Sequence, residues 1–486
     1  MLFNSRTFLV FYIVVTSLYF LIPHRLRWLL LLAGSIVFYM AFVPAYILIL
    51  GWTIVVDYFA GLFIEKATGQ KRKLFLIVSL VSNVGVLAFF KYFNFLNESL
   101  TALLGTIGIA NSVPFLTILL PIGLSFHTFQ AMSYTIEVYR GRNAERNFGI
   151  FALYVMFYPQ LVAGPIERPQ NLLHQFYEKH EFDYRRMSDG IKLMLWGLFK
   201  KAVIADRLAI LVDRVYADPL SYGGAHFIVA TVFFAFQIYC DFSGYTDMAR
   251  GAAHTMGFRL MENFLRPYHA RSVQEFWRRW HISLTTWFRD YLYIPLGGNR
   301  VPLTRWYFNI FIVFLISGLW HGASWNFIIW GALHGLFLLM SISTKRIREA
   351  FVRAVRLDRV PVVHNLLQTL ITFSLVAFAW IFFRASSLAD ALYIVFHLPE
   401  GVVSLFDITS LPQIFGGFRL RGVELTLAFF GLALLGIVEY LERFGSIRER
   451  IKRYPLWVRW SMAYALLAGA YFLGVYDDIE FIYFQF

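Results

Sequence analysis

Two histidines in this chain stand where an imidazole is costly. His321 lies in GLWHGASW (318–325), inside a run from Asn309 to Met340 that contains no Lys, Arg, Asp or Glu. His281 lies in EFWRRWHISLTTW (275–287), followed by the hydroxyl side chains of Ser283, Thr285 and Thr286. Ionisable side chains at hydrocarbon depth are expensive and tend to face a cavity. Neutral imidazole is the side chain best suited to take a proton from a hydroxyl near neutral pH. General-base chemistry on a hydroxyl is therefore one reading of His321. A structural histidine, hydrogen-bonded to a neighbouring helix, is the other. The small residues Ser317, Gly318, Gly322 and Ala323 beside it would let a substrate chain approach closely. No metal site is expected: no H-E-x-x-H motif or i, i+4 pair surrounds His321, and His334 would sit about 20 Å away on a continuous helix and on a different face.

Other polar islands interrupt the apolar chain. In LPIGLSFHTFQAMSYTIEVYRG (120–141), Pro121 and Gly123 are suited to breaking a helix, and Gln130, Tyr134 and Glu137 then share a face by their i, i+4, i+7 spacing. They read as interhelical polar glue or as a cavity lining. FYPQLVAGPIERPQ (157–170) carries three prolines and cannot form one regular helix. A re-entrant loop is the favoured reading, with an interfacial turn as the alternative. The densest polar segment runs from 239 to 300. Within it Glu275 precedes Arg278 and Arg279 by three and four residues, which permits intrahelical ion pairs. Trp277, Trp280 and Trp287 interleave with those charges. Nucleic acid is excluded as the partner, because base stacking needs an aqueous groove and these indoles fit a membrane-interface belt.

The elements that must position these residues are helical spans. The 486-residue chain is 58% hydrophobic, 19% aromatic and only 15% charged, against about a quarter charged in soluble domains. Its apolar content comes in blocks near the length that crosses a ~30 Å hydrocarbon core as helix. The blocks fall at about 8–22, 28–43, 45–64, 74–96, 114–137, 148–166, 189–215, 225–246, 305–319, 322–343, 363–386, 422–441 and 457–475. They are apolar all round, whereas barrel strands alternate, so a β-barrel is excluded. An all-α polytopic membrane protein follows, read as one domain over 1–486 with a catalytic core about 114–343. The first block follows Arg6 without a cleavage site and reads as a retained span.

The net charge of +14 is concentrated in short links, as the positive-inside rule predicts. Two spans are expected between the basic links 345–359 and 443–453, which would place both in the cytoplasm. The link 387–421 and the acidic Asp477, Asp478 and Glu480 would then lie outside. The links at 24–27 and 65–73 would face inward by the same reasoning. A single cysteine, Cys240, rules out an internal disulfide and a Cys-based metal cluster.

The islands together resemble the membrane-bound O-acyltransferase family, in its bacterial branch typified by alginate O-acetylation proteins. The segments that carry the resemblance are LPIGLSF (120–126), AGPIER (163–168), DFSGYTDMA (241–249), MENFLRPY (261–268), EFWRRWHISLTTWFRDYLYIPLGGNR (275–300), GLWHGASWNFIIWGALHG (318–335) and the terminal FIYFQF (481–486). The resemblance implies a ring of about 11 tilted helices, with re-entrant pieces, around a funnel. It implies acyl transfer from a cytoplasmic thioester donor, acetyl-CoA, to a hydroxyl, with no tightly bound cofactor. It places the family's membrane-embedded histidine at His321 and its second polar position at His281. The donor-binding candidates are Arg278, Arg279, Trp277, Asn263 and Ser283. Gln130, Tyr134, Asp241, Ser243, Trp320, Trp325 and Asn326 are the candidates for the funnel wall. Gln130 stands where alginate-type sequences carry an acidic residue, so the resemblance does not fix the polymer. The implied partners are an extracytoplasmic acetyltransferase, a polysaccharide acceptor and membrane lipid, in a bacterial inner membrane. A transporter or flippase for polymer or lipid-linked sugar is the rival reading, although no symmetric pair of broken helices is present.

Overall fold

A computed structural model describes residues 1–117, 121–418, 422–445, 447–476 and 481–482. Leu120, the acidic residues 477, 478 and 480, and the last four residues of the terminal motif lie outside the described residues. The fold is all-α, with no strand among the described residues. The principal helices are α1 (Arg6–Leu21), α2 (His24–Met40), α3 (Ile47–Lys66), α4 (Gly69–Leu87), α5 (Phe93–Gly105), α6 (Leu124–Tyr139), α7 (Phe148–Met156), α8 (Tyr184–Phe199), α9 (Asp206–Ala217) and α10 (Gly224–Met256). Two short helices follow, α11 (Val273–Arg279) and α12 (Ile282–Phe288). The remainder are α13 (Leu303–His321), α14 (Trp325–Ser343), α15 (Lys345–Ala354), α16 (Pro361–Arg384), α17 (Leu388–Phe406), α18 (Gly422–Glu442) and α19 (Leu456–Leu473). Eight helical segments among the described residues are long and apolar enough to cross a membrane.

Several starts follow the rules for helix caps. Ser5 accepts from the Phe8 N–H at 3.1 Å, Ser272 from the Glu275 N–H at 3.1 Å, and Ser387 from the Asp390 N–H at 3.1 Å. Each satisfies an amide that the first turn leaves without a helical partner.

Two of the expected blocks are only partly helical. Block 114–137 becomes helical at Leu124, and block 148–166 stops at Met156, before its prolines. Residues 157–168 have irregular backbone and are buried throughout. Irregular backbone at membrane depth is tolerated inside protein, so burial favours the re-entrant reading over an exposed interfacial turn.

The orientation argument turns on the count of crossings. α17 lies in the link 387–421, and it is the third helix between the two basic links that is apolar enough to cross. Asp390, Pro399 and Glu400 interrupt its hydropathy in sequence. Three helices rather than two are therefore candidates to cross there, and with three crossings the two basic links would not share a face.

The chain forms two compact units, interleaved in sequence: residues 1–194 with 245–261, and residues 195–244 with 262–486. In the first unit a buried polar tie joins three helices. Asp57 on α3 accepts from Ser79 on α4 at 2.6 Å and from Asn83 at 2.8 and 3.0 Å, while the Ser79 hydroxyl lies 3.0 Å from that of Thr135 on α6. The second unit is built around a core of large aromatic side chains, including Trp277, Trp280, Trp330 and Trp380.

Candidate active site

The second unit holds both histidines. α13 ends at His321, the chain turns through Gly322–Ser324, and α14 folds back along α13. Backbones meet in this hairpin. A Cβ on Gly318 would lie 2.2 Å from the Phe327 carbonyl oxygen, one on Gly331 would lie 2.4 Å from the Phe314 carbonyl oxygen, and one on Gly322 would lie 2.0 Å from the Phe327 ring. Small residues let membrane helices approach this closely. Gly318 and Gly322, beside His321, therefore serve the α13–α14 contact.

The hairpin also overturns the assumption of a continuous helix. His321 and His334 both place their rings 4.9 Å from the ring of Trp330. They share an indole because the break at 322–324 folds one helix onto the other. The two imidazoles nevertheless differ in their surroundings. His334 Nδ1 accepts from Trp277 Nε1 at 3.3 Å, which makes it a packed structural histidine. His321 is packed edge-on against aromatic rings, with Trp320 at 4.9 Å, Trp330 at 4.9 Å and Phe383 of α16 at 5.4 Å. Its exposure is 4%.

His281 is fully buried and forms the joint between α11 and α12. Its backbone is left-handed, at φ 41° and ψ 55°. A non-glycine residue held in that region costs on the order of 1–3 kcal/mol and needs support from its surroundings. Asn263 provides it: the Asn263 backbone carbonyl accepts the Ile282 N–H at 3.0 Å, and its side-chain oxygen accepts the Ser283 N–H at 3.2 Å. Phe242 of α10 abuts the His281 ring edge-on at 4.7 Å. On another side lies Trp320, with ring centroids 6.2 Å apart. One indole therefore touches both candidate imidazoles.

The donor-binding candidates separate. Arg279 is paired with Glu275 at 2.6 Å, the i, i+4 bridge expected on this helix, and also donates to the Arg266 carbonyl. Trp277 directs its only polar atom to His334. Asn263 and Ser283 are buried at the start of α12. Arg278 is exposed.

The funnel candidates are divided as well. Trp320 is buried between the imidazoles. Asn326 is buried and donates to the Ala385 carbonyl at 2.9 Å, tying α14 to the end of α16. Trp325 is 55% exposed in the first turn of α14, a position that fits an interface-belt tryptophan. Gln130 and Tyr134 belong to the first unit. Gln130 donates to the Tyr154 carbonyl, and the Tyr134 hydroxyl accepts the Glu145 N–H at 2.9 Å. Tyr134 also borders a cleft of about 590 Å³ with Glu137, Arg142, Glu145, His174 and Tyr177.

Asp241 and Ser243 sit in a charge cluster that the sequence reading missed. Lys201 Nζ lies 2.6 Å from Asp241 and 2.8 Å from Asp206, and Lys200 donates to Ser243 at 2.9 Å. All five residues are buried. The signal was present as lysines inside the apolar block 189–215, which the cost of intramembrane charge should have flagged.

Comparison with known proteins supplies the context for this arrangement. Residues 74–386 match the sequence model described as "MBOAT, membrane-bound O-acyltransferase family". The chain is similar to the "Probable alginate O-acetylase AlgI" of Pseudomonas aeruginosa, at 41% identity covering 90% of this chain and 82% of that protein. It is similar to the protein of the same description from Azotobacter vinelandii, at 42% identity covering 90% and 86%. It is also similar to the "Peptidoglycan O-acetyltransferase" of Helicobacter pylori, at 35% identity covering 83% and 80%.

Proposed function

The chain belongs to the membrane-bound O-acyltransferase family and is a multi-pass membrane O-acyltransferase, and from that premise we propose that it moves an acetyl group from cytoplasmic acetyl-CoA to a hydroxyl of an extracytoplasmic polysaccharide. The relatives' acetylase descriptions favour acetyl as the group moved. Their differing polymers leave alginate and peptidoglycan as equal models for the acceptor. A partner acetyltransferase outside the membrane completes delivery where this chain does not reach the polymer itself, and the bacterial inner membrane is the compartment that provides both sides.

His321 acts as the general base. It takes the proton from the acceptor hydroxyl as the oxygen attacks the thioester carbonyl carbon. The C–S bond then breaks, the acetyl group stays on the oxygen, and the proton passes to the departing CoA thiolate. General-base help of this kind is worth about 10²–10⁴ in rate. His281 donates a hydrogen bond to the acyl oxygen as charge develops there. Arg278, exposed beside the site, attracts the donor's phosphates. The observation that carries the reading is the single indole of Trp320 in contact with both imidazoles.

Purified protein in liposomes supplied with labelled acetyl-CoA and a polysaccharide acceptor tests it. Transfer of label to the polymer is the expected result. Passage of sugar or polymer across the bilayer without acetyl transfer would establish the rival transporter reading instead.

A further inference from the structure

The charge cluster at Lys201 performs no step in the reaction above. Two buried carboxylates, Asp206 and Asp241, share one buried lysine. A buried anion without enough donors is strongly unfavourable, and a buried pair is stable only when further hydrogen bonds satisfy its remaining lone pairs. Further contacts come from the far end of the chain. Asp241 uses Oδ1 for Lys201 and accepts the backbone N–H of Ile482 on Oδ2 at 2.9 Å. The Phe481 ring lies under the Lys201 ammonium, with Nζ 4.3 Å from its centroid. Each member of the Lys201–Asp241 pair gains one contact from residues 481–482.

The same turn and the start of α9 hold the end of α19 and the chain just after it. Residues Lys200–Ala205 form a π-helical turn between α8 and α9. The Ala202 carbonyl accepts the Val475 N–H at 2.9 Å, and Arg207 donates to the Leu473 carbonyl at 2.6 Å. Phe481 and Ile482 are themselves buried. π-turns inside helices occur often at functional sites, where they free backbone groups for other partners. Asp241 is directly followed in α10 by Phe242, the ring that abuts His281.

We propose that Lys201 and Asp241 form a latch that holds residues 481–482 in the core of the second unit, and that the latched segment is a positioning element for His281. The latch rests on its own geometry. Its consequence for transfer rests on the function proposed above.

The lone cysteine makes the latch measurable, because Cys240 is buried and the parent protein serves as the blank. Full-length Ile482→Cys is exposed to a maleimide in native membranes, alone and combined with Asp241→Asn or Asp241→Ala. Slow labelling is expected in the Ile482→Cys protein. Loss of a charge-assisted hydrogen bond should raise the labelling rate roughly tenfold to a hundredfold for Asp241→Ala, and less for Asp241→Asn, whose amide oxygen can still accept the Ile482 N–H. Labelling as fast without the Asp241 substitution as with it overturns the latch. Acetyl transfer is measured on the same samples, normalised to monodisperse protein by gel filtration in detergent. Transfer that falls in the order Asp241, Asn, Ala, with the KM for acetyl-CoA unchanged, supports the positioning role. Faster labelling with undiminished transfer overturns that role while leaving the proposed chemistry intact. Absence of transfer in the parent protein would instead indict the proposed function.

Discussion

The buried Asp57 group of the first unit and the two candidate imidazoles of the second are held in different ways. In the first, Asp57, Ser79, Asn83 and Thr135 turn toward one another across α3, α4 and α6, and hydrogen bonds within the group satisfy the carboxylate. In the second, His321 and His281 are set among aromatic rings, and His281 is held in a left-handed backbone that a cap from Asn263 must support. The first arrangement makes helices adhere. The second sets two imidazoles among packed rings, one of them on a left-handed backbone. A polar residue at membrane depth is thus informative only together with what surrounds it. His334 repeats the lesson within the second unit, because it touches the same Trp330 as His321 yet accepts the Trp277 indole N–H.

Substitutions can break or sharpen this contrast. The largest effect is expected for His321→Ala, which should lower polymer acetylation by about 10²–10⁴ while immunoblots show the protein at its normal level in the membrane. Parent-level acetylation in that variant would put His321 in the same class as His334. His281→Ala should cost about 10² in the maximal rate, the worth of one donor to a developing oxyanion. If only the KM for acetyl-CoA moved, His281 would be a binding residue. Arg278→Ala should raise that KM by roughly two- to fivefold, as an exposed ion pair is worth about 0.2–1 kcal/mol, and leave the maximal rate alone. On the other side of the contrast, Asp57→Ala should lower stability by about 1–3 kcal/mol, because it strips an acceptor from Ser79 and Asn83. Transfer per folded molecule should not change. A thermal melt in detergent beside the activity assay separates the two readouts, and a loss of specific activity would erase the distinction between the units.

Much of this arrangement was legible in the sequence. Apolar blocks gave most of the helices within a few residues, and the run from Asn309 to Met340 marked His321 as an imidazole in an apolar setting. What was not legible depends on folding over distance. The turn at 322–324 brings His321 and His334 to one indole, and although the apolar blocks break at 319–322, nothing local says that the two helices fold back on each other. The Lys201–Asp241 pair spans 40 residues, and its contact with Ile482 spans 241, so no local period could reveal either. α17 escaped because a proline and two acids dilute its hydropathy, although helices carry such residues when neighbours accommodate them. Arg279 was foreseeable as the partner of Glu275 by helical spacing. Its sibling Arg278, one position earlier, faces outward, and that single step of about 100° separates a structural charge from one open to a ligand.

The most direct test of the central claim is chemical rescue of the missing base. Initial rates of labelled acetyl transfer by purified His321→Ala protein, in liposomes at fixed acetyl-CoA and acceptor, are measured with increasing imidazole. The rate is predicted to start near background and climb with imidazole concentration, while the parent enzyme is indifferent to it. A His321→Ala enzyme that transfers acetyl at the parent rate with no imidazole present would contradict the account.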